Sequence, residues 1–206
     1  MGLDVLGSYA GLVYALPLLG GMIADRYLGM RKSVVFGGIS LSLGHILMAV
    51  EGHQARFYAA GTTLVENLTL ASGEVITAGT LLTDDIMMRD TAALDVFYFA
   101  LALIVMGVGY LKPNISTIVG KLYSQDDPRR DSGFTIFYMG INIGSFAATL
   151  ICGWLGETYG WGYGFGAAGI GMIIGLVTFL YGQKYLKGHA EPSDPEKLRK
   201  SALGPI

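Results

Sequence analysis

Five long apolar runs decide what this chain can fold into. They cover residues 5–24, 33–50, 96–119, 134–155 and 163–182, and are 20, 18, 24, 22 and 20 residues long. A bilayer core takes roughly 20 residues of helix to cross. In lipid the backbone polar groups must be satisfied within the segment itself, which a helix does. Each run is therefore expected to be a transmembrane helix, and the chain an all-α polytopic membrane bundle. Composition agrees: 15% of residues are charged and 52% hydrophobic, where a soluble domain carries about 25% charge. A net charge of -2 gives no hint of nucleic acid. The single cysteine, Cys152, excludes an internal disulfide framework or a two-cysteine metal motif. With only His45, His53 and His189 there is no nucleophile–base or metal-ligand spacing, so neither an enzyme nor a metal site is expected.

The basic residues set an orientation. Eleven lie between runs one and two, between runs three and four, or after run five; two, Arg56 and Arg89, lie between runs two and three. Basic residues favour the cytoplasmic side. This places the N-terminus outside, the C-terminus inside and residues 51–95 in an extracytoplasmic loop of a multi-pass plasma (inner) membrane protein. Residues 1–183 form the bundle and 184–206 a cytoplasmic linker. The first run starts four residues from Met1, and the polar tail stops abruptly. An excerpt of a longer transporter is expected.

The 51–95 loop carries seven carboxylates against two arginines. Its pieces ARFYAAGTTL and GEVITAGTLL share an AGT-x-Leu pattern 18 residues apart. A plain loop or small exposed hairpin is favoured over a functional lid. Asn67-Leu68-Thr69 is a formal glycosylation sequon.

Polar residues inside the apolar runs carry the functional signal. In the fourth run Thr135, Tyr138, Asn142, Ser145 and Thr149 recur at steps of three and four, a stripe along one helix face. Such a stripe faces other helices, as hydrogen-bonding glue, or a water-filled cavity. Asn142 and Tyr138, the larger donors, suit a cavity lining, for which Ser145 is a further candidate; Ser145 and Thr149 also fit the glue. The third run holds Lys112, followed by Pro113 and Asn114. An uncompensated lysine at the bilayer centre costs about 2.5–3.5 kcal/mol or more. It lies nine residues before Lys121, about 13 Å along a helix, beyond the reach of its stem. A buried cation facing a cavity or a carboxylate is expected. Helical rise puts Lys112, Asn142 and Tyr14 at one level near the midplane, where secondary transporters bind substrate. The pairs Gly140-x-x-x-Gly144 and Gly171-x-x-x-Gly175 are expected to let helices approach closely.

The turn from Gly20 to Lys32, with Gly21, Asp25, Arg26, Gly29 and Arg31, resembles the G-x-x-x-D-R-x-G-R-R loop of the major facilitator superfamily, with one residue more between Arg26 and Gly29. Its glycines permit a tight turn and its charges can latch helix ends. More specifically, GGMIADRYLGMRKSVVFGG and FTIFYMGINIGSF resemble the two signatures of the proton-dependent oligopeptide transporter family. GVGYLKPNIS resembles that family's fourth-helix segment. The resemblance implies helices two to six of a twelve-helix carrier, without the first helix and its E-x-x-E-R motif and without the C-terminal bundle. It implies that Tyr14 and Asn142 contact a small peptide substrate and that Lys112 serves proton coupling or the peptide carboxylate. The implied function is alternating-access symport of di- and tripeptides with a proton as coupling ion and no cofactor. A relative carrying nitrate or another small anion, and a non-transporting membrane interaction subunit, are the alternatives.

Overall fold

The computed structural model describes residues 2–50, 52, 56–70 and 72–186. It divides into two compact units: Met1–Val50 with Phe97–Ile206, and Glu51–Val96. The first is helical. Helix α1 spans Gly2–Ile23, α2 Met30–Met48, α3 Thr91–Lys121, α4 Arg130–Tyr159 and α5 Trp161–Gly182, closed by a 3-10 turn at Gln183–Tyr185. The second unit holds four short strands, β1 Arg56–Tyr58, β2 Leu68–Thr69, β3 Val75–Ile76 and β4 Ile86–Met88, and the first turns of α3.

Helices α3 and α4 run past the expected 96–119 and 134–155 at both ends. Apolarity ends at the first charge, whereas a helix continues through charges that reach water. Asp90 caps the start of α3, its Oδ1 accepting the Ala93 N–H at 3.0 Å. By length and composition α1, α3, α4 and α5 can each cross a membrane. The expected fifth span, α2, falls short on apolarity, because its 19 residues include Arg31, Lys32, Ser33, Ser40, Ser42 and His45.

That polarity is hidden by packing. Ser33, Ser40 and Ser42 are buried, and Ser33 and Ser42 return their hydroxyls to carbonyls one turn back. α2 packs against α3 on one side and α5 on another, through glycines. A methyl on Gly37 would stand 2.7 Å from the Gly107 carbonyl oxygen, and one on Gly44 would stand 2.9 Å from the Ala100 carbonyl oxygen. Gly38 faces Leu176 and Gly169 faces Ile46 across the α2–α5 contact. Met30, Val34, Ile118 and Leu186 form the apolar cluster at one end of this contact.

The expected close-packing pairs are not the ones used. A methyl at Gly140, Gly144, Gly171 or Gly175 meets nothing within 4 Å. Spacing shows that a helix face is smooth; whether another helix lies on it depends on which faces the fold turns inward.

α1 meets α3 at Gly20, whose Cα lies directly against the Gly109 carbonyl. Four residues on, Pro113 has no N–H to return to that carbonyl. α4 and α5 form an antiparallel pair joined at Gly160, whose φ of 116° suits glycine. Trp154, Tyr159, Trp161 and Tyr163 surround this turn in edge and tilted ring contacts.

The loop expected at 51–95 holds a long antiparallel hairpin in one register. Phe57 pairs with Met87, Thr63 with Leu81 and Thr69 with Val75. A local twofold relates its halves through the Thr63–Leu81 bridge, matching the 18-residue repeat. The Gly61 N–H donates to the Leu82 carbonyl at 2.8 Å, and its repeat mate Gly79 donates to Leu64 at 2.7 Å. Asp85 Oδ1 accepts from the Ala60 N–H and Asn67 Oδ1 from the Ala78 N–H, both at 2.8 Å. Gly61 and Gly79 sit at φ 84° and 86°, conformations that favour glycine. The repeated AGT-x-Leu-x-x-Asn/Asp is thus one turn used twice. Leu64, Leu68 and Leu82 form its core with Tyr58, Ile76 and Ile86 packed around them. The sequon asparagine is the fastener of one of these turns.

Candidate functional site

Two of the three residues placed at one depth by the sequence are brought together. Lys112 on α3 holds its Nζ 5.4 Å from the centroid of the Tyr14 ring on α1. This is a cation–π distance, worth about 0.5–1 kcal/mol where exposed and about 2 when desolvated. Among the described residues no carboxylate pairs with Lys112. The expected burial is not found: Lys112 is exposed and Tyr14 is 76% exposed, because this face of α1 and α3 has no helix laid over it in the bundle.

The backbone beneath the pair is unusual. After Pro113, side chains hydrogen-bond the carbonyls of the surrounding turns. Asn114, buried, donates Nδ2 to Tyr110 at 2.7 Å, Ser116 donates to Pro113 at 3.2 Å and Thr117 to Pro113 at 2.8 Å. Phe36 of α2 packs edge-on against Tyr110 with centroids 5.0 Å apart. Lys112 therefore projects from a stretch whose polar groups are tied down locally. None of these supporting residues except Asn114 stood out in the sequence.

Asn142, the third candidate, keeps its amide on its own helix, donating to the Tyr138 carbonyl at 2.8 Å. Thr135 and Thr149 do the same to Asp131 and Ser145. Thr135, Asn142 and Thr149 are satisfied along α4 itself instead of acting as glue between helices, and Tyr138, Asn142 and Ser145 are exposed. The Tyr138 ring stacks on Phe134 and meets Phe137 edge-on. The stripe is open to whatever lies against α4.

The turn after α1 shows what its additional residue does. Ala24–Leu28 is a π-helical segment, closed by the Gly29 N–H donating to Ala24 at 2.7 Å. One inserted residue widens a helical turn in this way. Gly29 then takes φ 76° to start α2. Gly21 lies in ordinary contact with Pro113, and Asp25 and Arg26 are exposed on the π segment. The latch from this loop is made by Arg31, whose Nη2 donates to Gln183 Oε1 at 2.8 Å. It ties the start of α2 to the end of α5. Gln183 carried no signal in the sequence, because a lone glutamine after an apolar run looks like any helix end.

A crevice of about 340 Å³ opens elsewhere, where α1 begins and α2 ends, lined by Leu6, Tyr9, His45, Leu101 and Phe165 among others. Leu101 is eleven residues from Lys112, about 16 Å along α3, so this crevice lies away from Lys112. His45 Nδ1 lies 2.8 Å from the Leu41 carbonyl, so its ring is tied to its own helix. Among the described residues no group of three His, Cys, Asp or Glu could hold a metal ion.

Apolar helices of membrane length, packed through glycines and presenting a cation and a polar stripe on uncovered faces, define a multi-pass membrane carrier bundle. A family model describes it more narrowly: residues 31–202 match the POT family, and the chain belongs to that family. It is 38% identical over 201 residues to the uncharacterized transporter YclF of Bacillus subtilis, covering 97% of this chain and 33% of that protein. It is 37% identical over 203 residues to a di-/tripeptide transporter of Lactobacillus helveticus, covering 93% and 33%. A crystal structure of a peptide transporter POT in complex with sulfate superposes with a TM-score of 0.68 at 36% identity, covering 97% of this chain and 34% of that one. The chain spans about a third of the length of these proteins. They are transporters, not enzymes.

Proposed function

We propose that this chain is part of a proton-coupled symporter of di- and tripeptides working by alternating access, and that Tyr14, Lys112 and Asn142 line its substrate path. The observation that carries the reading is Lys112 resting on Tyr14 in a membrane bundle of this family. A lysine without a carboxylate partner among the described residues supplies positive charge for a peptide C-terminus or for an acid elsewhere in the carrier. The tyrosine ring holds the ammonium in place and leaves its hydroxyl for the peptide backbone. Asn142, on the exposed stripe of α4 with Tyr138 and Ser145, offers an amide to the same ligand. The di-/tripeptide transporter relative supports the substrate class. In this reading the protein sits in the plasma (inner) membrane, and the remaining helices of the carrier cover the open faces of α1, α3 and α4. The basic residues orient the hairpin outward and the Arg31–Gln183 latch toward the cytoplasm.

In the complete carrier, Lys112→Ala should lower gradient-driven peptide uptake by tenfold or more, the scale of losing one charged hydrogen bond of about 1.5–3 kcal/mol. If the lysine serves coupling, peptide counterflow, which needs no net proton movement, survives in part. If it binds the carboxylate alone, both assays fail together and an amidated peptide loses its disadvantage. Wild-type uptake by a well-folded Lys112→Ala protein would sink the reading. Orientation has its own test. A cysteine at Thr80 should react with an impermeant reagent in intact cells, and labelling only after lysis would reverse the topology.

A further inference from the structure

The two tryptophans of the chain, Trp154 and Trp161, stand within one turn, the reversal from α4 to α5 at Gly160. Tyr159 and Tyr163 complete the group. Trp154 and Tyr159 meet edge-on with centroids 5.4 Å apart, and Tyr159 meets Tyr163 at 6.3 Å. The Trp161 ring lies on the last turn of α4, where a methyl on Gly156 would stand 2.7 Å from it. The four residues still keep 51–67% of their surface exposed. Between Asp131 and Lys184 the single charge is Glu157, which falls in the same turn and is exposed.

The lengths of the two helices say what these rings meet. A hydrocarbon core of about 30 Å takes about 20 residues at 1.5 Å each. The apolar run of α4 begins at Phe134, on whose ring the Arg130 guanidinium rests at 6.0 Å. Twenty residues further on is Trp154. The run of α5 ends before Lys184, and twenty residues back from Gln183 is Tyr163. Two separate counts, one on each helix of a packed antiparallel pair, thus reach rings that share Tyr159 as a neighbour. The turn beyond them stands where hydrocarbon gives way to headgroups. Tyrosine and tryptophan carry an apolar body and a polar tip, and both concentrate in this layer. We propose that the α4–α5 turn is an interfacial anchor: Trp154, Tyr159, Trp161 and Tyr163 are seated among the headgroups and ester carbonyls of phospholipid and fix the depth of the α4–α5 pair. The anchor is continuous with the spans that carry it. It holds for either orientation of the protein and for whatever substrate the carrier moves.

The anchor can be read directly, since the chain has no other tryptophan. The whole chain is placed in phosphatidylcholine vesicles whose acyl chains carry bromine either high, near the headgroup, or low, near the methyl end. High bromines should quench the tryptophan fluorescence about twofold or more as strongly as low ones, as for rings at the interface. Iodide in the water should quench it much less than it quenches free tryptophan. The unaltered chain is read first, so no outcome depends on a variant folding. Trp154→Phe and Trp161→Phe then leave one reporter each, and both should keep the same order. Stronger quenching by low bromines would place the rings in the hydrocarbon core and overturn the proposal. Iodide quenching equal to that of free tryptophan would place them in water and do the same. So would bromine quenching that fades as the protein-to-lipid ratio rises, which would mean a second copy covers the rings.

Discussion

In the bundle, α2 and α3 meet where Gly37 and Gly107 have no side chains; in the hairpin, a side chain at Gly61 or Gly79 would meet nothing within 4 Å. The same residue serves opposite ends. In the helices it is a surface, allowing one backbone to lie on another where lipid offers no hydrophobic drive. In the hairpin it is a conformation, allowing φ near 85° so that each turn returns its N–H to the opposite strand. A glycine in a sequence thus has no single meaning, and its neighbours decide which role it takes.

The sharpest way to break this contrast is to add bulk. In this chain Gly37→Leu should cost about 1–3 kcal/mol by overpacking, seen as a lower thermal midpoint and loss of monodisperse protein in detergent. Gly144→Leu, whose position meets nothing, should leave both unchanged. Equal losses would mean that the open glycines are packed after all.

In the hairpin, the corresponding strain is smaller and local. Asn67→Ala and Asp85→Ala each remove the acceptor for one backbone N–H, at a cost of about 1 kcal/mol. The twofold requires the two losses to be alike. Hydrogen exchange at Ala78 and Ala60 should speed up by similar factors, with α2 protection unaltered. A large effect from one and none from the other would show that the repeat is not matched by an energetic symmetry.

The least effect is expected at the entry to α4. Asp127 accepts the Arg129 backbone N–H at 2.8 Å and its guanidinium at 2.9 and 3.1 Å. The Arg129 side chain and backbone hold its carboxyl below the usual carboxylate range. A lowered folded-state value stabilises above the ordinary carboxylate range, and that contribution is lost as pH falls through the folded value. Amides at the start of α4 should therefore lose protection in acid, and Asp127→Asn should flatten that dependence. An unchanged acid profile in the variant would remove the pair from the account of how α4 begins.

The helices were legible because apolarity and length alone bound what lipid accepts. Their ends were not, since Asp90 and Arg130 are as compatible with a helix turn as with a loop. Depth alone did not give the meeting of Tyr14 and Lys112. Gly20 of α1 lies against Gly109 of α3, so the two backbones stand at different levels and the long side chains close the gap. The self-satisfied amide of Asn142 could not be read either, because the stripe pattern is the same whether a neighbour is present or absent. In the hairpin the AGT-x-Leu repeat was visible and its pairing was not, since residues such as Gly61 and Leu82 are joined across 21 positions of chain. Gln183 shows the limit most plainly: its role is set wholly by Arg31, 152 positions away.

The carbonyl of Gly109 has a consequence for position 20. It has lost the donor that Pro113 would otherwise supply, and Gly20 lies flat against it. A side chain at position 20 would run into that oxygen and push α1 away from α3. The two helices thus touch backbone to backbone at this point. Tyr14 lies six residues before Gly20 on α1 and Lys112 three after Gly109 on α3, so their side chains reach toward each other across this contact from opposite sides of it.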